Sequence, residues 1–267
     1  MRYLLLICIC ACLHGCVQDT AKEAWNVIVK NCAGSDLTGG AIQYFGPSNN
    51  VGPGSVWRPG PDGGYRLRYS LGDMPGEKNF ITRGEPYKCD GSKTTSFGLN
   101  AAVGLTTSLT PVSAELANDL RKAKSIEVQA QIIAWDLVRE GPFESYIKTL
   151  PASSGVRDDL NRGDRLVLYR ALRVSGYTAQ LKFSASDAAS LKAKYSGPLP
   201  KALTGDIGAQ LSANWANDTT LKLTSSSDCY IAGELAPYSS AGFAIGGSIF
   251  GKPVATSVGT LEYEKPN

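Results

Sequence analysis

Long stretches of this chain alternate apolar and polar residues with a period of two, and Gly, Pro, Asn and Asp cut them short. Such a pattern suits strands with one buried face. The cleanest case is residues 125–132: Ile126, Val128, Ala130 and Ile132 share one side, Ser125, Glu127, Gln129 and Gln131 the other. Phe97, Leu99, Ala101, Val103 and Leu105 alternate in the same way with Gly98, Asn100, Ala102, Gly104 and Thr106. Residues 25–29, 41–45 and 65–69 read as further strands in a region broken by turns such as Pro61-Asp62-Gly63-Gly64. Residues 165–174 and 177–183 read as a hairpin across Ser175-Gly176. Three more strands follow at 207–215, 221–224 and 229–235, the first two joined by a turn at Asn217-Asp218, and residues 241–261 are read as edge strands.

Helices are fewer. Thr110-Pro111 opens one that ends in Arg121-Lys122-Ala123-Lys124, where cations suit the helix dipole. A second is expected from Phe143 to Leu150, before Pro151. A third covers residues 186–195, with Ser184 or Ser186 as N-cap and Asp187 in its first turn. The expectation is an α+β fold: an antiparallel-rich sheet or sandwich with two or three short helices.

The N-terminus has a different character. Arg2 is followed by an apolar run from Leu4 to Leu13 and then by His14-Gly15-Cys16. That run is half the roughly twenty residues a spanning helix needs. The segment resembles the signal peptide and lipobox of bacterial lipoproteins, with Leu13 and Gly15 in place before the cysteine and His14 where a small or apolar residue is usual. The resemblance covers residues 1–16 only. It implies lipid attachment at Cys16 and a place in the bacterial cell envelope. Because Val17 rather than aspartate follows the cysteine, it implies the outer membrane over the inner. The organisation expected is a signal peptide at 1–15, a tether at 16–24, a loop-rich β region at 25–110 and an α+β region at 111–267. The last two are able to form one continuous domain.

The chain's one histidine, His14, lies inside that signal segment. The body therefore has no imidazole for a Ser-His-Asp or Cys-His site, and few zinc ligands. No cofactor or metal is expected. A net charge of +3 over 267 residues argues against a nucleic-acid partner. Four of the seven cysteines (Cys8, Cys10, Cys12 and Cys16) belong to the signal or the lipid site. Of the other three, Cys32 and Cys89 are the candidate disulfide, since both lie in the loop-rich part. Closing that loop stabilises by about 4 kcal/mol on chain entropy. Cys229, in a strand-like segment, reads as a buried thiol; three free thiols is the alternative.

Several motifs carry little. Ser145-Tyr146-Ile147-Lys148 has the S-x-x-K spacing without its companion motifs and reads as an exposed helix face. Asp159 to Asp164 begins like a calcium loop, but the twelfth position is Arg170, which leaves a polar turn. Glu140 and Glu144 flank a turn and read as a surface pair. A carboxylate-based glycan hydrolase stays open, because its two acids need not be close in sequence.

Two features are suited to function. Trp57, Arg58, Tyr65, Arg66, Arg68 and Tyr69 put arginine forks and aromatic faces around Gly-rich turns, a chemistry for anions or glycans. A strand with a solvated basic face is the plainer reading. The second feature is the pair of alternating, small-residue stretches Thr94 to Leu109 and Ala241 to Val258. They resemble the membrane-inserting hairpins of β-pore-forming proteins, although half-buried strands alternate likewise. The leading expectation is a non-enzymatic, lipid-anchored envelope protein. It would bind an envelope protein or glycan, with the membrane as its other partner. A membrane-perturbing lipoprotein is the alternative.

Overall fold

The computed structural model describes residues 42–60, 65–74, 76, 79–88, 95–97, 118–163, 165–195, 211–239, 242–243 and 261–263. Cys16, Cys32, Cys89 and residues 25–29 lie outside them.

Strands dominate. In chain order they are β1 (Ile42–Ser48), β2 (Val56–Pro59), β3 (Tyr65–Tyr69), β4 (Ile81–Thr82), β5 (Tyr87–Lys88), β6 (Thr95–Phe97), β7 (Ser125–Gln129) and β8 (Ile132–Val138). There follow two helices, α1 (Glu140–Thr149) and α2 (Gly155–Asn161). Next come β9 (Leu166–Ser175), β10 (Thr178–Lys182) and α3 (Ala185–Lys194). The chain closes with β11 (Leu211–Trp215), β12 (Thr220–Ser225), β13 (Cys229–Ser239), β14 (Gly242–Phe243) and β15 (Leu261–Tyr263). The strands form a ten-stranded sheet and a five-stranded one, the latter in the order β11-β12-β10-β7-β6. Pairing is antiparallel except between β15 and β3. The antiparallel-rich, sheet-dominated architecture is as the alternation implies, and β1–β3 share a sheet with β8, β9 and β13.

The pairing corrects two sequence expectations. Residues 165–183 are not a hairpin: β9 pairs with β13, β8 and β2, whereas β10 pairs with β12 and β7. Residues 125–132 are not one strand either, since the chain leaves the five-stranded sheet after Gln129 and enters the other at Ile132. Both crossings occur at the same place. Gln129 faces Thr178 and Ile132 faces Ser175, so each chain advances three residues and the ladder stays in step across the corner. On each strand the inward set changes parity there. Ile126, Val128 and Ala130 give way to Ile133 rather than Ile132; Leu172 and Val174 give way to Tyr177, Ala179 and Leu181. The Ser175-Gly176 signal that suggests a hairpin turn marks a bend within one long ladder. Gly176 has φ +66°, and the Gln131 amide donates to the Ser175 carbonyl at 3.0 Å.

The main core fills this corner. It joins Ile126, Val128, Ala179, Leu181, Leu221 and Leu223 of the smaller sheet to Ile133, Val174, Cys229 and Ile231 of the larger. Leu120, Ala123, Ala188 and Leu191 close it from the helical side. The ten-stranded sheet also carries a cluster around Trp57, Leu67 and Leu168. Another, around Phe80, Phe143 and Val167, is where α1 and α2 pack. Strands β2, β4, β5 and β8 and helix α2 escaped the sequence reading. The run at β8 holds a lone Asp136, and α2 lies where a polar turn was expected.

An alanine at Gly176 meets the left-handed backbone and places Cβ 2.6 Å from the Gln131 side chain. Gly163 has φ +74° with nothing within 4 Å of an added Cβ. Urea denaturation should therefore show Gly163→Ala costing about 1 kcal/mol and Gly176→Ala about twice that. Equal losses would remove the corner from its special role.

Candidate functional site

Strands β2 and β3 pair so that Arg58 stands directly opposite Arg66. Pleating turns Trp57, Tyr65 and Leu67 to the other face, where they are buried. The Trp57 indole N–H donates to Ser55 Oγ at 3.1 Å, and its ring centroid lies 6.4 Å from that of Phe45. Two of the three aromatic faces expected to stack on a ligand are thus core. Tyr69, the third, is half-buried against the helix-side cluster.

Arg68 is engaged as well. Its Nε donates to Asp159 Oδ2 at 3.2 Å, and Arg165 Nη2 donates to Asp159 Oδ1 at 2.8 Å. Arg162 Nε is 3.6 Å from the same carboxylate. Burial pushes the Asp159 pKa up, but the hydrogen bonds and charges of Arg165 and Arg68 outweigh it and hold it below the ordinary carboxylate value. Asp159, expected in a polar turn, is therefore an anchor for arginines, placed by α2 beneath β3. Of the six proposed ligand-binding residues, register brings Arg58 and Arg66 together, Arg68 is taken by Asp159, and Trp57 and Tyr65 face inward.

A second buried carboxylate sits beside the corner. Asp136 accepts from Arg173 Nε at 2.9 Å, the Tyr230 hydroxyl at 2.9 Å and the Gly84 amide at 3.1 Å. Arg173 reaches on to Asp228 at 3.1 Å, which also accepts from Ser175 Oγ at 2.6 Å. The network ties β8, β9, β13 and the strap between β4 and β5. Its sequence signal was the single acid in Ile132-Ile133-Ala134-Trp135-Asp136-Leu137-Val138, since a buried charge needs a partner. Ser145 and Lys148 lie exposed on α1. Glu140 accepts the Phe243 amide at 2.9 Å, which joins α1 to β14. Cys229 is a buried free thiol, and burial with the nearby Asp228 charge pushes its pKa up to about 12, so it stays protonated.

The five-stranded sheet is the most strongly two-faced surface. Ile126, Val128, Ala179, Leu181, Leu221 and Leu223 on one side are at most 1% exposed. Glu127, Gln129, Thr178, Gln180, Lys222 and Thr224 on the other are half-buried, and Lys182 is exposed. Lys182 pairs with Glu127 across that polar face. At the β11 edge Ala213 and Trp215 face the core, while Ser212 and Asn214 face out. That apolar face packs on Ile133, Val174, Cys229 and Ile231 of the larger sheet, and Leu120, Ala123 and two residues of α3, Ala188 and Leu191, close the rest. Ser184 caps that helix by accepting the Asp187 amide at 3.1 Å, a bond worth about 1 kcal/mol.

At the far end of α3 the carboxylate of Asp119 accepts from Lys194 Nζ at 2.7 Å, the Tyr195 hydroxyl at 3.2 Å and Lys122 Nζ at 2.8 Å. Burial raises the Asp119 pKa, but the hydrogen bonds and charges of Lys122 and Lys194 prevail, and the net shift is downward. No helix among the described residues is long and apolar enough to cross a membrane. No group of His, Cys, Asp or Glu there is arranged to hold a metal.

No protein-family model matches the chain, and no curated protein does. Among solved structures it is similar to a bacterial gasdermin from Bradyrhizobium tropiciagri, at 13% identity and a TM-score of 0.40. The alignment covers 91% of this chain and 97% of that one. A likeness of that degree supports no inference about activity.

Two consequences are measurable. Arg173→Met leaves Asp136 buried without its cation and should cost about 3–5 kcal/mol by urea denaturation. Asp119 and Asp159 have lowered pKa values, so their contribution is complete above the unfolded carboxylate value near 4. It is lost as pH falls through the folded values, and the urea midpoint should drop below about pH 4. The double variant Asp119→Asn/Asp159→Asn should show a flatter profile in that window.

Proposed function

We propose that this protein is a lipid-anchored component of a bacterial cell envelope that acts by inserting its five-stranded sheet into a membrane. The carrying observation is that sheet's two-faced character, with one apolar face at most 1% exposed and the other face polar. An antiparallel sheet meets most of its backbone hydrogen bonds internally, which is the condition for entering lipid, provided its edges are also paired. The first alternating stretch of the sequence begins with β6 at the edge of the five-stranded sheet, while the second begins with β14, which pairs with β13 of the ten-stranded sheet. An anchor at Cys16, in the outer membrane on the lipoprotein resemblance, would hold the chain at its target. The thioether-linked chains supply affinity at about 0.8 kcal/mol per buried methylene.

Full-length protein added to dye-loaded phosphatidylethanolamine–phosphatidylglycerol vesicles should release the dye at micromolar concentration. Lysine on the lipid-facing side of a strand costs about 2–4 kcal/mol at mid-membrane. Ala213→Lys should therefore slow release at least about tenfold, and its neighbour Asn214→Lys should not. Absence of release by folded wild-type protein would sink the proposal.

The accessory-binding reading draws on one observation of its own, the facing pair Arg58 and Arg66. It expects peptidoglycan-fragment binding that Arg58→Ala/Arg66→Ala abolishes while dye release is unchanged.

A further inference from the structure

Helix α3, which covers part of the apolar sheet face, is weakly held by its own packing. Of its ten residues, Ala188 and Leu191 alone are buried, and alanine contributes little apolar area. Its ionic contact with the β11–β12 turn, Lys192 to Asp218 at 3.4 Å, involves a fully exposed carboxylate and adds little. Lys192 also lies 4.8 Å over the Trp215 ring, an exposed-side contact of modest strength.

The contact that differs is Asp119. It is 7% exposed, it sits in the helical turn at residues 118–120 that leads into β7, and it takes donors from both sides of a junction. Lys122 comes from its own turn; Lys194 and Tyr195 come from the end of α3. Hydrogen bonds between ionised partners are about twice as strong as neutral ones, more so when one partner is shielded from water. Lys194 is the last residue of α3 and Tyr195 its C-cap, so the bonds grip the end of the helix after Leu191.

We propose that Asp119 is the clasp of a gate: by holding Lys194 and Tyr195 it keeps α3 closed over the part of the five-stranded sheet's apolar face that Ala188 and Leu191 cover, and breaking those bonds uncovers that part first for insertion. The inference deepens the membrane reading above and rests on it. The opening element is α3, while the 118–120 turn stays held in the main core by Leu120. The ten-stranded sheet, pinned by Asp136 and Arg173, stays closed.

Hydrogen exchange and dye release separate the two ideas. In full-length protein without lipid, Asp119→Asn should raise amide exchange at Ala188 and Leu191 about tenfold, the factor expected for losing a charged hydrogen bond, with β9 and β13 unchanged. Dye release from the same phosphatidylethanolamine–phosphatidylglycerol vesicles should accelerate to a similar degree. Lys194→Gln removes the clasp from its exposed side and should reproduce both effects if Asp119→Asn fails to fold. Unchanged α3 exchange in a folded variant overturns the clasp. Faster α3 exchange with release no faster than wild type overturns the gate while leaving the membrane reading intact. No release by either protein overturns both.

Discussion

Between Ala130 and Ile133 one strand changes which of its alternate residues face inward, and between Val174 and Tyr177 its partner does the same. If one strand alone made that change, every apolar side chain beyond the corner would point away from its partners. Because both change opposite each other, the ladder bends without losing register. Two sheets result from what is, in pairing terms, one long pair of strands. The main core, the position of α3 and the placement of Asp136 all follow from that corner.

Buried carboxylates then hold the parts that strand pairing does not. Asp136 joins three strands and the strap before β5 through Arg173, Tyr230 and the Gly84 amide. Asp159 joins α2 to β3 through Arg68 and to the start of β9 through Arg165. Asp119 joins the turn before β7 to the end of α3. Each is almost fully buried and each has a cation within hydrogen-bond reach, so its desolvation is offset by direct bonds. The differences lie in location. Asp136 and Asp159 act inside the large sheet and its helices, while Asp119 acts at the margin of the smaller sheet.

Much of the element list was legible. Strand β3 matches its expected bounds, β12 is one residue longer at each end, and α3 is capped by Ser184 with Asp187 in its first turn. The buried state of Cys229 was also readable from its strand-like surroundings. These features depend on neighbours in sequence: pleat, cap and local polarity. The basic strand face was read with the right alternation, since Arg66 and Arg68 both turn away from the buried Leu67 between them. Its occupancy was not, because Asp159 is far from Arg68 along the chain. The same limit hid the Asp136 network. A lone acid in an apolar run signals that a partner exists and does not say which arginine it is.

The sequence by itself determined that this chain builds sheets from half-buried strands, that its third helix begins just after Ser184 or Ser186, and that its body lacks an imidazole. Tertiary structure alone decided that Ser175-Gly176 is a corner and not a turn, and that β10 pairs with β7 and β12. It also decided that the larger sheet, Leu120, Ala123 and a short helix together close the apolar face of the smaller sheet. The physical reason is the range of each signal. Alternation and capping act over a few residues, and each strand reports only that it has two faces. Which strand it meets depends on burying many such faces at once, and that is settled when the distant segments pack together.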